Sequence, residues 1–451
     1  ALPDLSDREA RTGIGHRAKT VDQLTRRRVG LRVQCLQTGP VAAFGRASKH
    51  RPGRVRRPAH RKTRLARFTP IPTARGMFRL LFPIMNSPMQ NCERAMFDLR
   101  RGVAVIICAE DGDRMIVPVE TSSPASRKAL EQTAGAPASL VLGRQRLVAL
   151  GYRDAPAAGR LAATEDTLEP LAWGRPDPHE AANPPLAEAS HAERAAVGLL
   201  KRALLMPALL SVPVTDEVRD RLSSHGFVIQ VAASQVETAA LDSARRVQRI
   251  SEADVPLEHA GEVRFILFRE PDGMREHVAV RIGDPSAWPA AVPVRLHSAC
   301  LTGDLFGSLR CDCGEQLRGG VERIADAGGG VLLYLAQEGR GIGLANKLRA
   351  YALQDCGADT VEADARLGFS EDERRYDVAV EMLRDLGIEK IRLLTNNPAK
   401  IGAMEAGGIE IADREELYGR LNQHNERYLR AKADRSGHLL AEWLETESTA
   451  D

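Results

Sequence analysis

Cys300, Cys311 and Cys313 place three thiols within fourteen positions of a 451-residue chain. Three thiolates suit a borderline-soft cation such as zinc. Three protein ligands also leave a position open for water, as a catalytic rather than a structural site requires. The C-x10-C-x-C spacing differs from that of a zinc finger, where two CxxC pairs close the shell. A structural site completed by His297 or another residue is the competing reading, and unconnected core cysteines are a third, disfavoured by the Gly- and Asp-containing surroundings. Cys35, Cys92, Cys108 and Cys356 stand alone and read as ordinary thiols. Seven cysteines, an odd number at low density, argue against a disulfide framework and for a reducing, cytoplasmic setting.

A second set of residues suits a phosphorylated substrate. Gln337-Glu338-Gly339-Arg340-Gly341-Ile342-Gly343 follows the apolar run Val331–Leu335 and precedes a helical pattern over Leu344–Leu353. A Gly-containing turn at a helix N-terminus presents backbone N–H groups to an anion, and Arg340 adds a bidentate guanidinium. It is neither a Walker loop nor a GxGxxG fingerprint, and short turns of this kind are common. Further on, Glu371, Asp372 and Glu373 stand beside Arg374 and Arg375. A helix that runs to about Leu386 follows, so these acids could simply favour its positive end. Ile391–Thr395 then reads as a strand, followed by a polar turn and by Lys400 in a new helix.

These motifs need a scaffold. Strands alternating with helices from Val331 to Ile411 predict an α/β sheet with ligand-binding turns at the strand ends. Ahead of it, residues 91–245 predict a smaller α+β domain. A helix over Glu93–Arg101 leads to a strand over Gly102–Cys108, an acidic turn over Glu110–Asp113 and a hairpin partner over Met115–Val119. Ser123 is placed to cap a helix from Pro124 to Thr133, and Ser139–Leu142 is a further strand. The Ala-, Pro- and Gly-rich stretch from Ala155 to Ala187 reads as a loop or weakly ordered insert. Ala192–Leu204 and Thr215–Ser224 then read as helices flanking the strand Ala208–Val212. The fold class is therefore α/β with α+β elements, divided as 1–84, 91–245, 251–442 and a tail over 443–451.

The net charge of +3 hides an asymmetry. Residues 1–84 hold 20 Lys/Arg and four acidic residues, about +16, leaving about −13 for the rest. The first 84 residues read as a disordered basic leader, or as translated sequence ahead of a start at Met77 or Met85. A nucleic-acid or targeting arm is the alternative. No apolar run reaches the roughly 18 residues that a membrane-spanning helix needs.

The stretch from about Ser251 to Leu440, some 190 of 451 residues, closely resembles GTP cyclohydrolase II, with every motif above in order and at uninterrupted spacing. The resemblance implies a zinc-containing domain that hydrolyses GTP to formate, pyrophosphate and 2,5-diamino-6-hydroxy-4-(5-phosphoribosylamino)pyrimidine, the opening step of riboflavin synthesis. Cys300, Cys311 and Cys313 would hold one zinc per subunit, which activates a water toward C8 of guanine. Arg374 would attack the α-phosphorus, with Asp372 as its base. Tyr351 would serve the later hydrolytic step. GTP contacts would come from Arg295, His297, Ser298, Gln316, Glu338, Gly339, Arg340, Thr360, Thr395 and Lys400. Among these, Glu338 is suited to accept from the guanine N1–H and exocyclic amine. Mg²⁺ would accompany GTP, held more by phosphate than by protein. The family often has Glu before the first cysteine, where this chain has Ala299. A homodimer is implied, with no nucleic-acid or membrane partner.

The block before it resembles 3,4-dihydroxy-2-butanone-4-phosphate synthase between Ala95 and Val119, in degenerate form. That family binds divalent metal through a dense acidic stretch. Here Glu110, Asp111 and Asp113 are followed by no further carboxylate until Glu120, which implies a non-catalytic domain. A bifunctional enzyme with a working synthase is one alternative, and a non-catalytic GTP-binding regulator is another.

Overall fold

The computed structural model describes residues 88–163 and 185–445, apart from 225, 227, 243–246, 435, 436, 441 and 442. The expectations for the leader at 1–84, for most of the insert between Ala155 and Ala187 and for the end of the tail lie outside these residues.

The first sheet holds β1 (Val105–Cys108), β2 (Arg114–Pro118), β3 (Ser139–Gly143), β4 (Ala158–Ala162), β5 (Ala187–Glu188), β6 (Ala208–Pro213) and β7 (Ile229–Ala232). Their order is β5-β4-β3-β6-β2-β1-β7, antiparallel throughout except for β1 beside β7. The β1–β2 hairpin forms as expected, with Val105 opposite Ile116. Ser123 caps the helix Pro124–Ala134, its side chain accepting from the Ser126 N–H at 3.1 Å. Ala158–Ala162, read as loop, is a strand paired with β3. Its Ala-Gly-Arg-Leu-Ala sequence has weak intrinsic strand preference, and the pairing comes from the tertiary context.

Period-two alternation sends the strands' side chains to two different cores. Val105, Ile107 and Ile116 face the helices Pro88–Arg100, His191–Arg202 and Ala233–Asp242. Ile106, Met115 and Val117 face the other way, into a cluster that also contains Ile342, Ala350, Leu353, Ala363, Leu367 and Phe369. Those six residues belong to the cyclohydrolase-like half of the chain. The far face of the first sheet therefore lies directly on the helices Leu344–Asp355 and Thr360–Leu367. Each large side chain buried there contributes about 1.5–3 kcal/mol.

The second sheet holds β8 (Gln248–Leu257), β9 (Gly261–Arg269), β10 (Glu276–Ile282), β11 (Val292–Ser298), β12 (Gly330–Leu335), β13 (Lys390–Leu394) and β14 (Glu410–Glu415), in the order β14-β13-β11-β12-β10-β9-β8. β8, β9, β10 and β12 pair antiparallel, whereas β12, β11, β13 and β14 run parallel. From β11 the chain crosses to β12 on one side and then returns to β13 on the other. The carboxyl end of β11 is thus a topological switch point, where open α/β sheets bind ligands. Among the described residues, no helix is long and apolar enough to cross a membrane.

Candidate active site

The cysteine cluster is built by close backbone approach at the end of β11. Cys300 precedes the short helix Leu301–Asp304, and Cys313 opens the helix Cys313–Asp326. The three sulfurs lie within 4.8 Å of one another, with Cys300 Sγ and Cys311 Sγ 3.7 Å apart. Gly303 permits this. A Cβ there would stand 2.7 Å from Cys311 Sγ and 3.1 Å from Cys300 Sγ.

Three thiols this close cannot all ionise unaided. The Cys300 thiol is driven down, by hydrogen bonds from Cys311 and Cys313 and by the Lys347 ammonium. Its charge and those contacts push Cys311 up to about 11 and raise Cys313. A divalent cation accepting all three sulfurs would relieve that conflict, so the donor set fits zinc. His297 does not belong to the cluster. Its Nε2 is 3.1 Å from Asp304 Oδ1, and its ring stacks on Tyr334 at 5.6 Å.

Lys347, which the sequence reading passed over, ties this loop to its surroundings. Its Nζ lies 3.2 Å from Cys300 Sγ, 2.9 Å from Thr302 Oγ1 and 2.8 Å from Glu338 Oε1. Glu338 also accepts from the Leu301 N–H at 2.5 Å and from the Gly339 N–H at 3.2 Å. The carboxylate expected to meet guanine is therefore engaged in holding the cysteine loop, and a guanine donor would have to share it with Lys347.

The Gly-containing turn aims Arg340. This residue is left-handed, with φ 60°, a conformation costing about 1–2 kcal/mol for a side-chain-bearing residue. Its carbonyl accepts from the Glu373 N–H at 3.0 Å. Gly341, at φ 92°, could bear no side chain, because a Cβ would stand 2.7 Å from the Glu373 carbonyl oxygen. The acids at 371–373 are thus packed against this turn. They do not cap a helix, since the next one begins only at Asp377.

Arg374 and Asp372 form a bidentate pair, with Nε 2.8 and 3.0 Å from the two carboxylate oxygens and Nη2 2.5 Å from Oδ2. Burial would lower the Arg374 pKa, but Asp372 overrides it and holds the guanidinium charged. Arg295 is buried beneath the site, donating to Leu394 O at 2.8 Å and to Gln316 Oε1 at 2.6 Å. Burial pushes its pKa down to about 10. Lys400, in the helix Pro398–Ala406, donates to Leu296 O at 2.6 Å. Burial and then Arg295, Arg374 and Lys432 force its pKa well down.

One solvent-open cavity gathers these groups. It is lined by the three cysteines, by Ala299 and by Arg295, His297, Ser298, Gln316, Glu338, Gly339, Arg340, Tyr351, Thr360, Arg374, Thr395 and Lys400. Asp372 is absent from the lining and stands behind Arg374. Arg295 Nε, His297 Nδ1, Gln337 Oε1 and Arg340 Nη2 are buried without a protein partner among the described residues, as a polar ligand would require. Burial raises the Tyr351 phenol to about 12, so it stays protonated at neutral pH and can donate but not accept a proton. Arg310 and Lys347 lie over its ring at 5.0 and 5.6 Å.

Asp364, Tyr428, Lys432 and His438 also line the cavity and were missed from the sequence. Helix spacing held a signal for two of the missed residues. Lys347 is four residues before Tyr351 and Asp364 four after Thr360, each pair on one helix face.

A family model described as GTP cyclohydrolase II matches residues 248–416. A GTP cyclohydrolase-2 from Azospirillum brasilense is 42% identical over 372 residues, which cover 80% of this chain and 96% of that protein. A GTP cyclohydrolase-2 from Pseudomonas aeruginosa is 54% identical over 180 residues, 40% of this chain and 87% of its own length. A riboflavin biosynthesis protein RibBA from Mycobacteroides abscessus is 43% identical over 272 residues, 57% of this chain and 64% of its own.

Proposed function

The chain belongs to the GTP cyclohydrolase II family, and on that basis we propose that it opens the imidazole ring of GTP. C8 leaves as formate and the β- and γ-phosphates as pyrophosphate, giving 2,5-diamino-6-hydroxy-4-(5-phosphoribosylamino)pyrimidine as the first step of riboflavin biosynthesis. One observation carries the reading. The three-sulfur cluster and the nitrogen-bearing side chains of Arg340, Arg374 and Lys400 line the same cavity, so a guanine C8 and a triphosphate can be held at once.

Cys300, Cys311 and Cys313 would hold zinc, which supplies a Lewis-acid position for a water when bound. Glu338 and Lys347 fix the cysteine loop, and Lys347 donates toward one sulfur. Arg374 presents to the α-phosphorus the part of its guanidinium that Asp372 leaves free. Attack by that nitrogen requires Asp372 first to take a proton from Nε or Nη2, the two nitrogens it contacts, which is hard for a guanidinium held charged. A clamp on the phosphate is the role the resting geometry supports without any proton transfer. Tyr351 donates its phenolic proton in the hydrolytic step. Arg295, His297, Ser298, Gln316, Gly339, Thr360, Thr395 and Lys400 complete the contacts to GTP. Mg²⁺ on the phosphates, a homodimer and a cytoplasmic setting go with this reading.

We propose the 91–245 domain as a non-catalytic support. Its acidic turn is engaged internally, with Asp113 2.7 Å from Arg219 and Asp111 accepting from the His191 N–H at 2.6 Å. No product from ribulose 5-phosphate is expected, and turnover of that sugar would make the chain bifunctional. The main reading is tested by supplying GTP or ATP to the zinc-loaded protein with Mg²⁺. Formate from GTP alone is expected, and formate from neither nucleotide would overturn it.

A further inference from the structure

After β14 the chain doubles back over the carboxyl ends of the parallel strands. Asn425 is buried, and its side chain donates to Arg420 O at 2.8 Å at the start of the helix Glu426–Asp434. The Leu439 N–H donates to Asn396 O at 2.9 Å, in the turn after β13. Asn396 in turn donates to Leu417 O at 2.9 Å. Leu429, Leu440 and Leu444 are buried together in a small core of their own. The segment is therefore held by its own packing and by the site's backbone.

It carries chemistry into the cavity. Lys432 Nζ lies 3.2 Å from Asp312 Oδ1 and 4.3 Å over the Tyr428 ring. An ammonium has three donors, and Asp312 takes one of them. His438 lines the same cavity as Arg340, Arg374 and Lys400. Burial, followed by the charges of Lys432, Arg374, Lys400 and Arg340, pushes its imidazole down to about 2. It is a neutral ring with an N–H to offer beside Arg340, Arg374 and Lys432. Such a concentration of positive charge with few carboxylates matches a polyanion and not a neutral base.

We propose that Lys432 and His438 are substrate-binding residues supplied by the C-terminal segment, and that they grip the triphosphate of GTP alongside Arg340, Arg374 and Lys400. The inference rests on the GTP reading above and adds to it a stretch of chain beyond the matched 248–416.

The test compares the affinity of the full zinc-loaded chain for GMP and for a GTP analogue with a methylene bridge between the α- and β-phosphates. Lys432→Met and His438→Gln are each expected to weaken the analogue roughly ten- to hundredfold, the loss of one charged or polar partner. GMP affinity and zinc content should stay within about twofold of wild type, well below the tenfold that one lost contact represents. Lys432→Arg, which keeps the charge, should recover most of the analogue's affinity. Equal losses for GMP and the analogue would mean that the segment only supports the fold. Unchanged affinity for both would remove these residues from the site, and either result overturns the proposal. Formate release by the wild type reads the activity separately. A protein that binds the analogue through Lys432 and His438 but releases no formate would refute the cyclohydrolase reaction and leave the binding inference standing.

Discussion

Arg349 donates to Glu120 at 2.9 Å across the boundary between the two sheets. Arg349 lies on the helix that carries Lys347 and Tyr351, and Glu120 follows β2 of the first sheet. The same carboxylate accepts from the Met206 N–H at 2.8 Å. Together with the core shared by Ile106, Val117, Ala350 and Leu353, this contact makes the first domain part of the mounting of the active-site helices.

Glu120→Ala should therefore act on both stability and turnover. It removes a partner from two donors at a site where the carboxylate is 11% and Arg349 21% exposed. A loss of about 1–3 kcal/mol is expected after allowing for that partial exposure. Urea unfolding measures the loss, and formate release should fall with it as the helix bearing Tyr351 loosens. An unchanged midpoint and rate would make the ion pair incidental.

Gly303→Ala tests the cysteine cluster without touching a sulfur. The added methyl would sit 2.7 Å from Cys311 Sγ, so the loop must open. Zinc affinity should drop roughly ten- to hundredfold, the usual scale for disturbing the support of a metal site. Competition against a chromophoric chelator reads this directly, and wild-type affinity would show that the sulfurs tolerate more room than their spacing suggests.

Tyr351→Phe removes one oxygen from a phenol that burial keeps protonated at neutral pH. If the phenol donates in the hydrolytic step, the variant should release pyrophosphate while formate falls by two or more orders of magnitude, the scale of general-acid catalysis. Parallel loss of both products would place Tyr351 in binding instead.

Asp364 gives the protein a pH signature. Burial raises its carboxyl to about 7, with Arg340 opposing and Asp372, Glu373 and Glu371 adding to the rise. The folded state then holds this proton more tightly than the unfolded chain between about pH 4 and 7, so stability falls as pH rises through that window. Asp364→Asn cannot ionise, and should be more stable than wild type at pH 8 by up to about 4 kcal/mol. The two should converge near pH 4. Parallel unfolding curves at both pH values would show that Asp364 titrates normally.

The sequence made the cysteine cluster, the Arg340 turn and the Asp372–Arg374 pair readable because each is local, with its members within a few residues or on one turn. The structure brings the residues named from it to one cavity and leaves Asp372 just behind. What stayed hidden depends on distance in the chain. The shared core between Val117 and Leu353 cannot be read from either segment alone, since each simply looks apolar. Ala158–Ala162 takes its strand form from β3 and not from its own composition. Lys432 and His438 reach the site only because the chain turns back after β14. Lys347 and Asp364 did have a local signal, one helical turn from Tyr351 and Thr360.

The most direct measurement is the stoichiometry of products from GTP and Mg²⁺ with the zinc-loaded full chain. Formate and pyrophosphate in equal amounts, with formate lost in Cys311→Ser, are the expected result. GTP that binds but remains intact would contradict the cyclohydrolase activity and leave the chain a nucleotide-binding regulator.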